Sequence, residues 1–293
     1  MALNIIAWNM QGERSAFGSP YSQMFSAVLP RLVNEAPNDT WLIYLSECGN
    51  PFDINAKEVL PGAIGYHFES YDSGEGYNIM KHWGSKGIAV RGIYCPWQKS
   101  DGISNLRCSN MIMEVATYDP LSINNKPFFK LICEFLASED GLLKNIRPIP
   151  FATSFKNTTA QYYVGGVHNI ATQSLAAKAV NRLAQHFFAG SLGSVIAGDM
   201  NVSAPIDAQG KSAKDKGKWP CSMEFGTYTP LLSGKATQSS GGQLDWAMHS
   251  FKNPKISQAF LAKNIINVSP FDTGRYSGYA SSDHEILVYS IEL

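Results

Sequence analysis

The sequence lacks a net charge. Its 24 Lys and Arg balance 24 Asp and Glu, so no global basic field announces a nucleic-acid partner, and any such binding must rest on local patches. It also lacks an apolar run long enough to span a bilayer, so no transmembrane segment is expected. The N-terminus carries no basic segment followed by an apolar core and a small-residue cleavage site, which fits a mature chain, one exported by another route, or one expressed inside the cell. Cysteine is sparse. Cys48, Cys95, Cys108, Cys133 and Cys221 show no C-x-x-C spacing, which argues against structural zinc, and their odd number leaves at least one thiol without an intramolecular partner. What the chain does have is apolar substance: 44% hydrophobic residues over 293 positions is ample for a substantial core.

That apolar content is arranged in short runs that end in polar residues. Ser194-Val195-Ile196-Ala197 closes in Gly198-Asp199-Met200-Asn201-Val202, reading as a buried strand that delivers a carboxylate and an amide to one loop. Asp and Asn also make good turns, so this motif alone is ambiguous between chemistry and a strand exit. The same pattern recurs. Leu3 to Trp8 stops at Asn9-Met10-Gln11-Gly12, and Trp41 to Ser46 stops at Glu47, a carboxylate that must reach solvent or hold a cation if it is not to be buried unpaired. Gln161 to Val167 ends in His168-Asn169-Ile170-Ala171, where a lone histidine would ordinarily be a hydrogen-bonded surface residue. Asp245 opens a strand after Gly241-Gly242-Gln243-Leu244, and Asp283-His284 opens the last one.

Between these runs, Lys86 to Ile93 and Asn110 to Thr117 read as further strands, and helices are expected over Pro20 to Val33 and Thr172 to Phe188. The stretch from Asp119 to Asn145 has no clean period and is read as an insertion carrying one helix around Phe129 to Leu136. Ser70 to Gly76 reads as a polar loop with Glu69, Asp72 and Glu75 as carboxylates that are either solvated or functional. Lys211 to Lys218 is a basic Gly and Ser-containing loop, either solvated, a nuclear import signal or a phosphate-binding arm. No sequence repeat is evident, although βα alternation in each half suggests two similar layers.

Asn9, Glu47, Asp199, Asn201 and Asp283 supply oxygen ligands and amides, with His168 and His284 as two imidazoles and Asp245 in reserve. Such a set favours Mg²⁺ or Mn²⁺ over zinc, and a hard metal implies phosphate. Hydrolysis of a phosphodiester needs charge stabilisation on the phosphoryl oxygens, a prepared water and relief of charge on the leaving oxygen, and these residue types cover the three needs. Each imidazole also needs a partner to fix its tautomer, a role suited to Asp245 or to a carboxylate of the Ser70 loop.

In order along the whole chain, Asn9, Glu47, His168, Gly-Asp-x-Asn at Asp199, Leu-Asp-Trp at Asp245 and Ser-Asp-His at Asp283 resemble the endonuclease/exonuclease/phosphatase superfamily. Within it, Trp-Asn-Met-Gln-Gly at Trp8, Arg147-Pro148, His-Asn-Ile-Ala at His168 and Thr-Gln-Ser-Ser-Gly-Gly-Gln-Leu-Asp-Trp at Thr237 look most like the cytolethal distending toxin B subunit, itself similar to pancreatic deoxyribonuclease. The resemblance implies one domain over residues 1–293 with an α/β fold, a four-layer α/β/β/α sandwich of two mixed sheets face to face and a site at one rim. It implies Glu47 as principal metal ligand assisted by Asn9 and Asp283, with Asp199 and Asn201 positioning water and phosphate. His168 and His284 would supply acid/base or transition-state contacts, His284 oriented by Asp245 and His168 by Asp72. Arg107 and Arg147 would contact DNA phosphates, or stand as ordinary surface arginines.

The function so implied is a Mg²⁺-dependent (or Mn²⁺-dependent) deoxyribonuclease of genotoxin type acting on double-stranded DNA, a secreted toxin working in the host nucleus and travelling with delivery subunits. The alternatives are a phosphoinositide phosphatase, a sphingomyelinase-like phosphodiesterase, or a binding module that keeps the fold without turnover. The Trp-Cys-Asp-Arg signature of dedicated inositol 5-phosphatases is absent where Leu244-Asp245-Trp246-Ala247 stands. Three departures from the toxin pattern bear on substrate preference. His168-Asn169 replaces its usual His-Ala, Asn201 is followed by Val202 instead of the usual Arg, and Asp119 to Asn145 is longer than expected.

Overall fold

A computed structural model describes residues 2–10, 40–48, 63–70, 78–84, 88–95, 110–117, 130–134, 149–156, 159–169, 176, 179, 194–202, 229–231, 237, 244–250, 256–257, 284 and 286–292. Fourteen strands lie among them. They are β1 (Ala2–Asn9), β2 (Thr40–Ser46), β3 (Ala63–Ser70), β4 (Asn78–Gly84), β5 (Ile88–Cys95), β6 (Asn110–Thr117) and β7 (Lys130–Glu134), followed by β8 (Ile149–Lys156), β9 (Thr159–His168), β10 (Ser194–Asp199), β11 (Thr229–Leu231), β12 (Asp245–His249), β13 (Ile256–Ser257) and β14 (Leu287–Glu292).

These build two mixed sheets. One has eight strands in the order β13-β14-β1-β2-β6-β5-β4-β3, and the other has six in the order β11-β12-β10-β9-β8-β7. Each sheet has one parallel pair, β1 with β2 and β9 with β10, flanked by antiparallel neighbours. Parallel pairing requires a crossover between the strands, so both pairs send their C-terminal ends to one edge of their sheet. Ala176 and Ala179, both helical and buried, lie in the crossover between β9 and β10.

The sheets pack through a shared core to which Leu3, Ile5 and Ala7 of β1, Leu42 and Tyr44 of β2, and Leu287 and Tyr289 of β14 contribute from the larger sheet. Val164 of β9, Val195 and Ala197 of β10, and Ala247 of β12 contribute from the smaller. Alternate residues face opposite ways in a strand. The other faces of the central strands are buried as well, at Ile6, Trp8, Trp41, Ile43, Leu45, Trp246 and Met248. Sheets covered on both sides explain why β1, β2 and β10 read as continuous apolar runs without alternation, and they are the inner layers of an α/β/β/α sandwich.

The Tyr44 ring fits between the sheets only because two glycines face it. A Cβ on Gly166 would fall within the Tyr44 ring, and one on Gly198 would meet both that ring and the Val167 carbonyl. Gly198 has φ +143°, a conformation that side-chain-bearing residues rarely adopt. Glycine in Gly-Asp-x-Asn is therefore a packing and backbone requirement set immediately before Asp199.

Several sequence expectations are corrected here. The stretch expected to be helical around Phe129 to Leu136 contains β7, paired antiparallel with β8 at the edge of the six-stranded sheet. Its apolar run, Leu131-Ile132-Cys133, is too short for periodicity to separate strand from helix, and pairing with β8 decides it. Arg147-Pro148 stands in sequence ahead of β8, and β3 and β4 were not legible as strands. The final strand begins at Leu287, just after His284. The expected helix over Pro20 to Val33, the loops at Asp72 and Glu75 and at Lys211 to Lys218, and all of the Thr172 to Phe188 helix except Ala176 and Ala179 lie outside the described residues. Among the described residues, no helix is long and apolar enough to cross a membrane.

The packing makes neighbouring glycines unequal. A Cβ on Gly165 would make ordinary contacts, 3.7 Å from Ile196 Cγ1 and 3.9 Å from Phe151 Cβ. Gly165→Ala should therefore change stability by no more than ~1 kcal/mol, whereas Gly166→Ala should cost ~1–3 kcal/mol by overpacking. Urea denaturation of the two variants side by side measures the contrast, and Tyr44→Leu should recover part of the Gly166→Ala loss.

Candidate active site

The inner-face alternation that builds the core also builds the site. On β1, Leu3, Ile5 and Ala7 face the opposing sheet, and two residues further Asn9 does too; Val195 and Ala197 of β10 lead to Asp199 in the same way. Val164 and Gly166 of β9 lead to His168, while Ala247 of β12 follows Asp245. Register brings these ends level. Asn9 pairs with Ser46, Asp199 lies opposite His168 on one side and Asp245 on the other, and β12 runs antiparallel so that its beginning meets the end of β10. Four polar residues thus continue apolar rows to one rim, where the gap between the sheets opens.

Polar contacts stitch the two sheets together there. Asn9 Nδ2 donates to Asp199 Oδ2 at 2.9 Å and lies 3.5 Å from Glu47 Oε1. His168 Nε2 stands 3.3 Å from the same Glu47 oxygen and 3.6 Å from Asp199 Oδ2. Asp245 Oδ2 is 2.8 Å from His284 Nδ1. Trp8 Nε1 donates to the His284 carbonyl at 3.1 Å, and the Asp245 N–H donates to Thr237 Oγ1 at 2.8 Å. All of these except Glu47 are buried; the Glu47 side chain keeps 18% of its surface exposed.

Two residues at the rim hold left-handed backbone conformations, Glu47 at φ 48° and Asn201 at φ 50°. Asn tolerates this region and Glu does so reluctantly, so the turn that swings Glu47 inward after β2 is maintained by its surroundings. Asn201 is held on several sides. Its N–H donates to Asp199 Oδ1 at 2.8 Å, and its Nδ2 donates to the Asn169 carbonyl at 2.9 Å and to Asp199 Oδ2 at 3.3 Å.

Electrostatically the site is under tension. Burial pushes the Asp199 carboxyl up to about 7 from its ordinary 3.8, and the charge of Asp245 pushes the same way. A charged His284, the Asn201 N–H and the Asn9 amide pull against that rise. Asp199, Asp245 and His284 offer ligand atoms that all lie within 4.8 Å of one another. Carboxylates forced together in a low-dielectric rim, with one imidazole beside them, suit a hard divalent cation, whose charge would offset both the burial and the Asp245 repulsion that raise Asp199.

Of the residues singled out in the sequence, the structure brings Asn9, Glu47, His168, Asp199, Asn201, Asp245 and His284 to this rim. Asp72, Arg107, Arg147 and Asp283 lie outside the described residues. Sequence reasoning gave no site role to Trp8, Asn169, Thr237 or Trp246. Trp246 Nε1 donates to the Val202 carbonyl at 3.0 Å, tying down the loop after Asn201. Trp8 and Trp246 stand next to Asn9 and Asp245 in the sequence but read as core aromatics, and Thr237 offered no signal beyond its motif.

No protein-family model matches the sequence, and a search of characterised sequences returns no match. Solved structures do match. The cytolethal distending toxin of Actinobacillus actinomycetemcomitans aligns with a TM-score of 0.53 at 15% identity, over 98% of this chain and 97% of that one. A humanised D. rerio TDP2 aligns at 0.51 and 13% identity, over 100% and 99% of the two chains. An endonuclease/exonuclease/phosphatase of Beutenbergia cavernae aligns at 0.51 and 13% identity, over 100% of this chain and 72% of that one. The chain therefore has the two-sheet α/β sandwich fold of the endonuclease/exonuclease/phosphatase structures, over essentially its whole length.

Proposed function

We propose that the chain is a divalent-metal-dependent phosphodiesterase that cuts double-stranded DNA with little base specificity, a nuclease of the genotoxin type. The observation that carries this reading is the convergence of Asn9, Glu47, His168, Asp199, Asn201, Asp245 and His284 on one rim, drawn from both sheets. The fold shared with a cytolethal distending toxin over 98% of the chain supports it. On this reading Glu47, Asn9 and Asp283 hold Mg²⁺ or Mn²⁺, with the carboxylates of Asp199 and Asp245 close by. When bound, the ion neutralises charge on the phosphoryl oxygens.

The protein's own groups do the rest. Asn201 and Asp199 orient the scissile phosphate and a water, Asp199 accepting the water proton as its oxygen bonds to phosphorus. The bond from phosphorus to the leaving oxygen breaks, and an imidazole returns a proton to that oxygen. Asp245, 2.8 Å from His284 Nδ1, fixes the His284 ring so that its other nitrogen is available for this work. Arg107 and Arg147 contact backbone phosphates, which carry no sequence information, so cutting is sequence-independent. The same reading implies a secreted toxin that reaches the host nucleus with delivery subunits.

Conversion of supercoiled plasmid to nicked and linear forms tests the proposal. Nicking should require Mg²⁺ or Mn²⁺, stop with chelator, and fall by ~10²–10⁴ in folded His168→Gln or His284→Gln. Folded wild type that leaves plasmid intact but releases phosphate from phosphoinositides would replace DNA with a lipid headgroup as substrate.

Stability supplies a second check. Because the folded Asp199 titrates near 7 rather than 3.8, between those values the native state holds a proton that the unfolded chain does not. Its contribution to stability is complete below about 3.8 and is lost as pH rises through about 7. In chelator, wild type should therefore lose more thermal stability than Asp199→Asn on going from pH 5 to pH 8. Added Mg²⁺ should raise the wild-type melting temperature more at pH 8 than at pH 5, since binding requires the carboxylate.

A further inference from the structure

We infer that Asn169 is a positioning residue that fixes the Asp199-Met200-Asn201 loop in the conformation the site uses. The inference deepens the phosphodiesterase reading and rests on it for the Mn²⁺-affinity and activity readouts. Asn169 is fully buried beside His168. Its backbone N–H donates to the Asp199 carbonyl at 2.9 Å, its carbonyl accepts from Asn201 Nδ2 at 2.9 Å, and its own Nδ2 donates to the Met200 carbonyl at 2.9 Å. One residue thus bonds three successive residues of the loop. The second hydrogen of Nδ2 goes to the carbonyl of helical Ala176, also at 2.9 Å, so the loop is tied to the β9–β10 crossover as well.

This arrangement needs an amide. Asparagine's Nδ2 carries two donors, and here both serve buried carbonyls that point in different directions. The toxin B subunit pattern that the sequence resembles has alanine after the histidine, and alanine could make neither bond. Asn201 needs the help, because its φ of 50° lies in the sparsely populated left-handed region. The Met200 N–H to Leu244 carbonyl bond at 2.9 Å and the Trp246 indole bond to Val202 brace the loop from the β12 side. Asn169 braces it from the β9 side, and it does so next in sequence to His168. The loop is therefore tied by the Asn169 backbone at Asp199 and Asn201 and by its buried side chain at Met200.

The test compares Asn169→Ala with a structural control in the full chain. Ser250→Ala is the control, because it removes a hydrogen bond of 3.0 Å from the Ser194 N–H at the opposite end of β10, far from the rim. Folded Asn169→Ala should bind Mn²⁺ ~10–100-fold more weakly by calorimetry and lose kcat on plasmid by a similar factor, with KM changing less than about twofold. Ser250→Ala should lower the melting temperature while leaving Mn²⁺ affinity and kcat unchanged. In an Asn201→Ala background, Asn169→Ala should add less than about a twofold further loss, as expected for residues acting in one chain of contacts.

A folded Asn169→Ala with wild-type Mn²⁺ affinity and kcat and only a lower melting temperature overturns the inference, as do fully additive losses in the double variant. If Asn169→Ala does not fold, Asn169→Ser, which keeps one donor, is judged by the same criteria and should give an intermediate loss. If wild type neither binds Mn²⁺ nor cuts plasmid, the phosphodiesterase reading fails and hydrogen exchange decides the positioning role alone. In Asn169→Ser the Asn201 amide should then exchange at least ~10-fold faster while the Ser250 amide is unaffected; equal effects at both amides overturn it.

Discussion

Everything at the rim depends on one amide between two carboxylates. Asn9 belongs to the eight-stranded sheet, and its Nδ2 reaches Asp199 of the six-stranded sheet at 2.9 Å and Glu47 of its own at 3.5 Å. Without such cross-sheet donors, a carboxylate buried as deeply as Asp199 would be untenable in its charged form. Asp245 and His284 repeat the device from the opposite direction, a carboxylate of the smaller sheet against an imidazole carried just ahead of β14. The site is a seam between two sheets, and each sheet leaves part of its polar chemistry unsatisfied until the other arrives.

The seam is possible because the sheets come close. Tyr44 lies against Gly166 and Gly198, positions where no side chain fits, and these two glycines precede His168 and Asp199 on adjacent strands. The same absence of Cβ atoms that admits the aromatic ring lets Gly198 take its unusual φ just before Asp199. Packing and chemistry are therefore set within two residues of each other on both strands. Asn169 extends that economy by one position, since the residue after His168 closes the loop that follows Asp199.

The fold class and the clustering of polar strand ends at one rim were legible in the sequence, while several individual strands were not. A charged or amide residue terminating an apolar run is conspicuous, because burial makes it costly and the run fixes where it sits; Asn9, Glu47, His168 and Asp199 were all visible on that ground. Strands buried on both faces, such as Ser194 to Asp199, announced themselves as continuous apolar runs. Strands away from this centre did not. β3 and β4 mix Gly, His, Lys and Glu with apolar residues, and β7 carries a short apolar run between Lys130 and Glu134, so local pattern gives way to pairing with neighbours. The bracing residues were hidden for a different reason. Asn169 looks like a turn residue, and Trp8 and Trp246 look like core; their hydrogen bonds reach carbonyls 31, 276 and 44 residues distant.

Those separations also bear on when the site can exist. Asn9 meets Asp199 across 190 positions and Trp8 meets His284 across 276, so no short segment of the chain carries the whole site. Long-range contacts of this kind form only after the loop-closure entropy of most of the chain has been overcome. An intermediate with one sheet formed would present Asn9 and Glu47 without Asp199, or His168 and Asp199 without His284. Two half-sites, each with isolated carboxylates still open to water, would lack the fixed geometry and low dielectric that the proposed phosphodiester chemistry requires. Sheet docking is then the step that brings the rim residues together, and the free energy of any cation bound across the seam would add directly to the free energy holding the sheets together.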